Sequence, residues 1–296
     1  MSPEPAPAPA ALLPLFGAIL LFGASWPITK IAVADGAGPA WFALGRAGLS
    51  GLGATTLLLA TGRLRRPGRA DLPALLAVGI FQLAGFFGLA HLAVALVPAG
   101  TTAVLSNATT LWIVPLSLLV LHERIPRRRW AATLASIMGV VVLAGPWAID
   151  WSRPGILLGH ALLLGAALSW SIAMVALRRW PPRLTMLQML PWAFALATLL
   201  LLPLALSRPF GHWTAPGWAA LLAIGALVGP GGTWCVMRST MTLPVVVASI
   251  GFLGAPAIGL LLASLWLGEP LTWPLAAGSL LILAGVAIAA WPARRA

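Results

Sequence analysis

The sequence predicts an all-α integral membrane protein of ten transmembrane helices, arranged as two five-helix repeats of inverted topology. Three observations predict it. Apolar residues make up 60% of the 296 and charged residues 8%, too few polar groups to cover a water-soluble surface. The apolar residues fall in runs of about 20, the length at which an α-helix crosses the hydrocarbon core. One segment also occurs twice: Ala74-Leu75-Leu76-Ala77-Val78-Gly79 returns as Ala220-Leu221-Leu222-Ala223-Ile224-Gly225, and the same offset of 146 residues relates Pro98 to Pro244, Glu123 to Glu269 and Gly139 to Gly285. A repeat that spans about 70 residues dictates architecture.

Residues 1–10 are Pro-rich, carry one acid and no base, and are expected to be a disordered tail. A secretory signal has a basic start and a shorter apolar core, so the run that follows is read as an uncleaved first span. Spans are expected at about 11–34, 38–60, 72–94, 98–121, 129–147, 155–177, 184–206, 217–237, 244–267 and 273–291. The two repeats are then 11–147 and 155–291. Trp41, Trp130, Trp147, Trp180, Trp213 and Trp273 fall near span ends, where an amphipathic ring prefers to sit.

Orientation follows from the bases. With the N-terminus inside, Arg63, Arg65, Arg66, Arg69, Arg124, Arg127, Arg128, Arg129, Arg178, Arg179, Arg183, Arg238, Arg294 and Arg295 are all inside, and only Arg153 and Arg208 are outside. This places both termini in the cytoplasm, on the cytoplasmic (inner) membrane. It also accounts for the net charge of +12 as a topology signal, without a nucleic-acid partner. An odd five-span unit joined head to tail enters the membrane upside down the second time. The first spans of the halves correspond loosely, with Ser25-Trp26 and Ser169-Trp170 at an offset of 144, and the second spans match poorly. The one cysteine, Cys235, forms no intrachain disulfide.

Ionisable groups inside spans are costly enough to be candidate functional residues. Lys30 lies near the outer end of span 1, where its stem can snorkel to the headgroups. Arg46 lies some 12 Å into span 2, at the helical rise per residue, and requires a partner, a wet cavity or carbonyls of a neighbouring helix. No carboxylate lies near the middle of a span, which argues against a carboxylate-coupled pump. His91 and His160 are the other titratable candidates, each more often structural than a proton carrier. Span 4 holds a polar patch at mid-depth, Ser106, Asn107, Thr109, Thr110 and Trp112, and Gln82 in span 3 is comparable. Trp26, Trp112, Trp170, Trp192 and Trp234 could wall a flat or cationic cargo, or simply pack. Pro115, Pro191, Pro230-Gly231-Gly232 and Pro256 interrupt spans and offer bending points. Gly48-Leu49-Ser50-Gly51 matches the GxSG of intramembrane serine proteases, but such a tetrad arises readily by chance in this composition. Metal-ligand clusters and phosphate loops are absent from the sequence, and no cofactor is expected.

The chain resembles the drug/metabolite transporter superfamily, EamA-like ten-span branch. The residues that carry the resemblance are Ser25-Trp26, Arg46, Val97-Pro98-Ala99-Gly100 opening span 4, His122-Glu123-Arg124-Ile125 closing it, and Leu267-Gly268-Glu269-Pro270-Leu271 closing span 9. Each closing motif is followed by a span ending in Gly-Val, Gly139-Val140 and Gly285-Val286. Two positions depart from the pattern: His122 stands where the family usually has Gly, and Thr110 stands opposite Pro256. The resemblance implies a carrier in which spans 1–4 and 6–9 surround a central cavity while 5 and 10 stand outside it. In that reading the substrate-binding candidates are Trp26, Arg46, Gln82, Asn107, Trp112, Trp170 and Trp234. The expected function is export of a small metabolite, such as an amino acid or related zwitterion, by alternating access. An organic-cation or drug exporter is the alternative, and an intramembrane serine hydrolase the remote one. The expected partners are the small-molecule cargo and the lipid bilayer, with the chain a monomer or homodimer.

Overall fold

The computed structural model describes residues 9–122, 127–143, 147, 153–243, 251–252 and 254–290, and their regular structure is helical apart from one isolated bridge. In chain order the helices are α1 (Pro9–Ala34), α2 (Pro39–Ala60), α3 (a 3-10 turn Arg69–Asp71, then Leu72–Leu76, Ala77–Gly85 and Phe86–Val94) and α4 (Ala99–Leu105 and Thr110–Leu121). They continue with α5 (Arg127–Leu143), α6 (Ile156–Arg179), α7 (Met186–Leu206), α8 (Ala215–Leu222, Ala223–Gly232 and Thr233–Thr242), α9 (Gly254–Leu267) and α10 (Trp273–Ala290). Seven of them, α1 to α4 and α6 to α8, are long and apolar enough to cross a membrane, and α5, α9 and α10 are shorter apolar helices. Glu123, Arg124 and Pro244 lie outside the described residues.

Local sequence sets the helix ends. Pro39 occupies the first turn of α2, where its missing N–H costs nothing. Thr185 opens α7 through a reciprocal capping box with Gln188, and Thr214 opens α8 by accepting from Gly217 N. At the far end of α4 the chain leaves through His122 at φ 53°, and at the far end of α9 through Gly268 at φ 66°. These two positions are 146 residues apart. The left-handed exit is thus a property of the repeat, and the histidine makes it without glycine's freedom.

The helices pair chiefly between the two halves of the chain. α1 lies on α9 and α8, α2 on α7 and α8, α3 on α6 and α7, and α4 on α6 and α9, while α5 and α10 pack on each other. The last pair approaches closely because its contact face is small: a Cβ on Gly139 would sit 2.7 Å from Gly278 O, and one on Gly285 2.6 Å from Ala132 O.

Both rims are tied across the halves. At one rim the α1–α2 turn meets the α7–α8 loop: Ala37 bridges Gly211, Gly38 N donates to Phe210 O at 3.0 Å, His212 N to Gly36 O at 2.9 Å, and Thr214 Oγ1 bonds Asp35. At the other rim Asp71 is the tie. Its carboxylate accepts from Gly68 N at 2.9 Å, Arg183 N at 2.7 Å and Leu184 N at 3.0 Å, joining the α2–α3 loop to the α6–α7 loop. These donors, Leu184 first, hold the Asp71 carboxyl below the usual carboxylate range.

Three helices depart from regular α geometry. Ala77–Gly85 in α3 and Ala223–Gly232 in α8 are π-helical, and each begins three residues into the repeated Ala-Leu-Leu segment. The repeat seen in sequence therefore carries the same rare distortion twice, one that recurs at functional sites. Each π segment has a carbonyl met by a serine from another helix: Ser169 Oγ donates to Phe81 O at 2.7 Å, and Ser50 Oγ to Gly225 O at 3.0 Å. α4 breaks at residues 106–109, within the polar patch. There Ser106 and Asn107 bond back to Thr102 O and Ala103 O, and the backbone tightens to 3-10 bonds such as Asn107 N to Val104 O. Ser171 of α6 adds a donor at 3.2 Å to the Thr109 carbonyl, which already accepts from Trp112 N and Ile113 N.

Candidate functional site

The site is built around Arg46. Pro39 starts α2, and Arg46 follows two turns later, between Ala43 and Ala47, whose small side chains let α2 approach its neighbours. The guanidinium carbon lies 4.3 Å from the Phe87 ring centroid and 6.0 Å from that of Trp26. Arg46 is only 6% exposed, and its Nη1 is buried with no hydrogen-bond partner. Among the described residues no carboxylate pairs with it and no carbonyl accepts from it. Two aromatic faces offset part of the cost of burying the charge, and the uncommitted N–H donors remain.

α3 and α6 complete the surroundings. Directly after its π segment, α3 presents Phe86 and Phe87. Phe86 stands between the two repeat-related tryptophans, its ring centroid 6.1 Å from Trp26 and 5.0 Å from Trp170. One turn on, His91 is fully buried against Trp26 at 5.6 Å, Phe42 at 5.7 Å and Phe87 at 5.8 Å. Its Nδ1 faces Phe87 O at 2.8 Å, and because a carbonyl can only accept, Nδ1 carries the proton.

The seven residues proposed from sequence separate into groups. Trp26, Arg46 and Trp170 converge on Phe86 and Phe87. Gln82 lies in the π segment one turn before Phe86, with its Oε1 buried and unpartnered. Asn107 is exposed at the break in α4, its amide nitrogen committed to Ala103 O. Trp112 is tied to α6 by a 3.1 Å bond from Nε1 to Leu164 O, which makes it a link between helices. Trp234 is 56% exposed and joins none of the ring contacts.

One residue, Lys30, behaves differently from its reading in sequence. It does not run out to the headgroups: Nζ donates to Val94 O at 2.7 Å, the last carbonyl of α3, and to Val97 O at 2.8 Å in the α3–α4 turn. Glu269 reaches across the halves to the next residues of the same turn, accepting from Ala99 N at 2.6 Å and Gly100 N at 2.9 Å. The α3–α4 turn is therefore held at both its carbonyl and its amide ends. Phe86 and Phe87 were not proposed from sequence; inside an apolar run nothing in a single chain marks them.

Two cavities among the described residues are not lined by Arg46. A groove of about 590 Å³ runs between α2 and α7 along Gly48, Gly51, Thr55, Pro191 and Thr198. A smaller one, about 240 Å³, lies at the rim beside Thr101, Arg153, His160, Glu269 and Thr272. The site follows instead from the unpartnered buried groups, and Arg46 is closed off in this structure.

Seven apolar helices of spanning length, paired across two halves of the chain, are the layout of a multi-pass membrane protein. The comparison with known families agrees. The EamA-like transporter family matches residues 9–145 and again 157–291, and the chain belongs to that family. It is similar to an uncharacterized transporter, YvbV, of Bacillus subtilis, with 26% identity over 91% of this chain and 88% of that one. A protein of Streptantibioticus cattleyicolor named probable terminal-alkyne amino-acid exporter is 27% identical over 90% of this chain and 89% of its own. A solved crystal structure aligns over 95% of this chain and 96% of its own, with a TM-score of 0.64 and 25% identity. The chain is a transporter and not an enzyme, and Ser50, whose hydroxyl is committed to Gly225 O, serves as a tie between helices.

Proposed function

We propose that this transporter exports a small metabolite bearing a carboxylate, such as an amino acid or a related zwitterion, across the cytoplasmic membrane. The observation that carries the proposal is the buried, unpartnered Nη1 of Arg46. A guanidinium fork binds a carboxylate through two parallel hydrogen bonds, and a cargo carboxylate would supply the missing counter-charge. The names of the relatives favour the same class: besides the amino-acid exporter, a Salmonella typhimurium protein named probable amino-acid metabolite efflux pump is 27% identical over 64% of this chain and 67% of its own. An organic-cation exporter is disfavoured, because the aromatic faces of Trp26 and Phe87 are already turned to a cation of the protein.

Transport would proceed by alternating access of two inverted halves, 11–147 and 155–291, with both termini cytoplasmic. The offset of 146, the two π segments it relates and the crossed pairing of the helices support that architecture. The test is release from loaded proteoliposomes of amino acids, nucleosides and cationic dyes. Release of amino acids is the expected result, and release of dyes alone would replace this function with the cation exporter.

A further inference from the structure

Beside Arg46 lies a second buried group with an unmet hydrogen bond. The His91 imidazole is closed to solvent, and with its Nδ1 proton given to Phe87 O its Nε2 is a bare acceptor, unpartnered in the structure. The two vacancies are of opposite kind, a donor on Arg46 and an acceptor on His91. They also share their surroundings. Phe87 lies 4.3 Å from the guanidinium carbon and 5.8 Å from the His91 ring, and Trp26 lies 6.0 Å and 5.6 Å from the same two groups. The imidazole cannot reorient freely, since Phe42 stacks on it at an interplanar angle of 28°. A buried acceptor left without a donor is costly, and such a group persists where something else fills it.

We propose that His91 is the second specificity-determining residue of the carrier, its Nε2 accepting a hydrogen bond from the ammonium group of a cargo whose carboxylate is held by Arg46. An α-amino acid carries its donor two bonds from its carboxylate, so one head group meets both vacancies. The pair thus selects α-amino acids over simple carboxylates. Trp26 or Phe86 must shift to admit the head group, because both atoms are shut from solvent here. The inference rests on the reading of Arg46 as a carboxylate site. A single buried water bridging Arg46 and His91 would satisfy the same two atoms without selecting any cargo.

The test measures binding of radiolabelled phenylalanine and leucine, and of their des-amino counterparts 3-phenylpropionate and 4-methylpentanoate, to the purified full-length protein. A hydrogen bond involving a charged group corresponds to a preference of about tenfold to a hundredfold, so the wild type should favour each amino acid over its des-amino partner by that factor. His91→Phe should reduce the preference to near one, and His91→Gln, which restores an acceptor, should recover part of it. A wild-type preference near one overturns the inference even if His91→Phe fails to fold. Equal loss of both ligands in His91→Phe also overturns it, in favour of the bridging water or a packing role. Binding of all four acids without preference leaves the carboxylate site standing, whereas binding of none removes it and this inference together.

Discussion

Glu269 offers a stability prediction whose size can be worked from two distances. Its carboxylate accepts from Ala99 N at 2.6 Å and Gly100 N at 2.9 Å, two of the first-turn amides of α4 that have no partner within the helix. Hydrogen bonds to a charged group contribute roughly 1.5–3 kcal/mol each. Both residues are buried, but the adjoining cavity of about 240 Å³ can admit water to the freed amides, which returns part of the loss. Glu269→Ala should therefore destabilise by about 2–4 kcal/mol, and Glu269→Gln, which keeps one acceptor, by about half as much. At about 2–3 °C per kcal/mol for a chain of this size, the Ala variant should lose roughly 4–12 °C of Tm in detergent. Lys30→Met should fall in the same range, because it frees the carbonyls at the other end of the same turn, and the double variant should lose less than the sum. Wild-type melting of Glu269→Ala, or equal losses for the Gln and Ala variants, would refute the hydrogen-bond count.

Three further outcomes are expected. His122→Gly should raise stability by about 1 kcal/mol, since it relieves a left-handed residue at the end of α4, and an unchanged or lower Tm contradicts this. Asp71 should make stability depend on acid. Because its folded carboxyl lies below the unfolded value of about 3.9, its contribution is full above that value and disappears as pH falls through the folded one. The gap in unfolding free energy between wild type and Asp71→Asn should thus be constant above about pH 5 and narrow below about pH 4; a gap independent of pH excludes the role. Reporter fusions at both termini should be active only in the cytoplasm, as the fourteen inner and two outer loop bases require, and a C-terminal reporter active outside would remove the inverted reading of the halves.

The repeat was the most informative feature of the sequence because offset is independent of environment. It located the paired π segments without revealing them, since a π turn leaves no periodicity of its own in an apolar run. It related Trp26 to Trp170, and both rings meet Phe86. Arg46 was legible because charge at depth is rare in any membrane helix. Its neighbours Phe87 and His91 were not legible as such, because which faces of α1, α2 and α3 meet is decided by packing between helices and every face of these runs is apolar. The same limit explains Lys30 and Trp112: snorkelling and cavity lining are options for one helix seen alone, and the carbonyls they hold belong to the end of α3, the α3–α4 turn and α6. The polar patch of α4 was visible as composition, but its serine and asparagine bonding back to the helix and breaking it was not.

The central claim is that Arg46 engages the carboxylate of the cargo, and the most direct test is efflux by Arg46→Lys from proteoliposomes loaded either with an amino acid or with its methyl ester. Lysine keeps the charge but offers a point donor in place of the planar fork. Arg46→Lys should melt like the wild type, export the amino acid about tenfold to a hundredfold more slowly, and export the ester at the wild-type rate. Equal loss of both cargos, in step with a fall in Tm, would contradict it and leave Arg46 a structural residue.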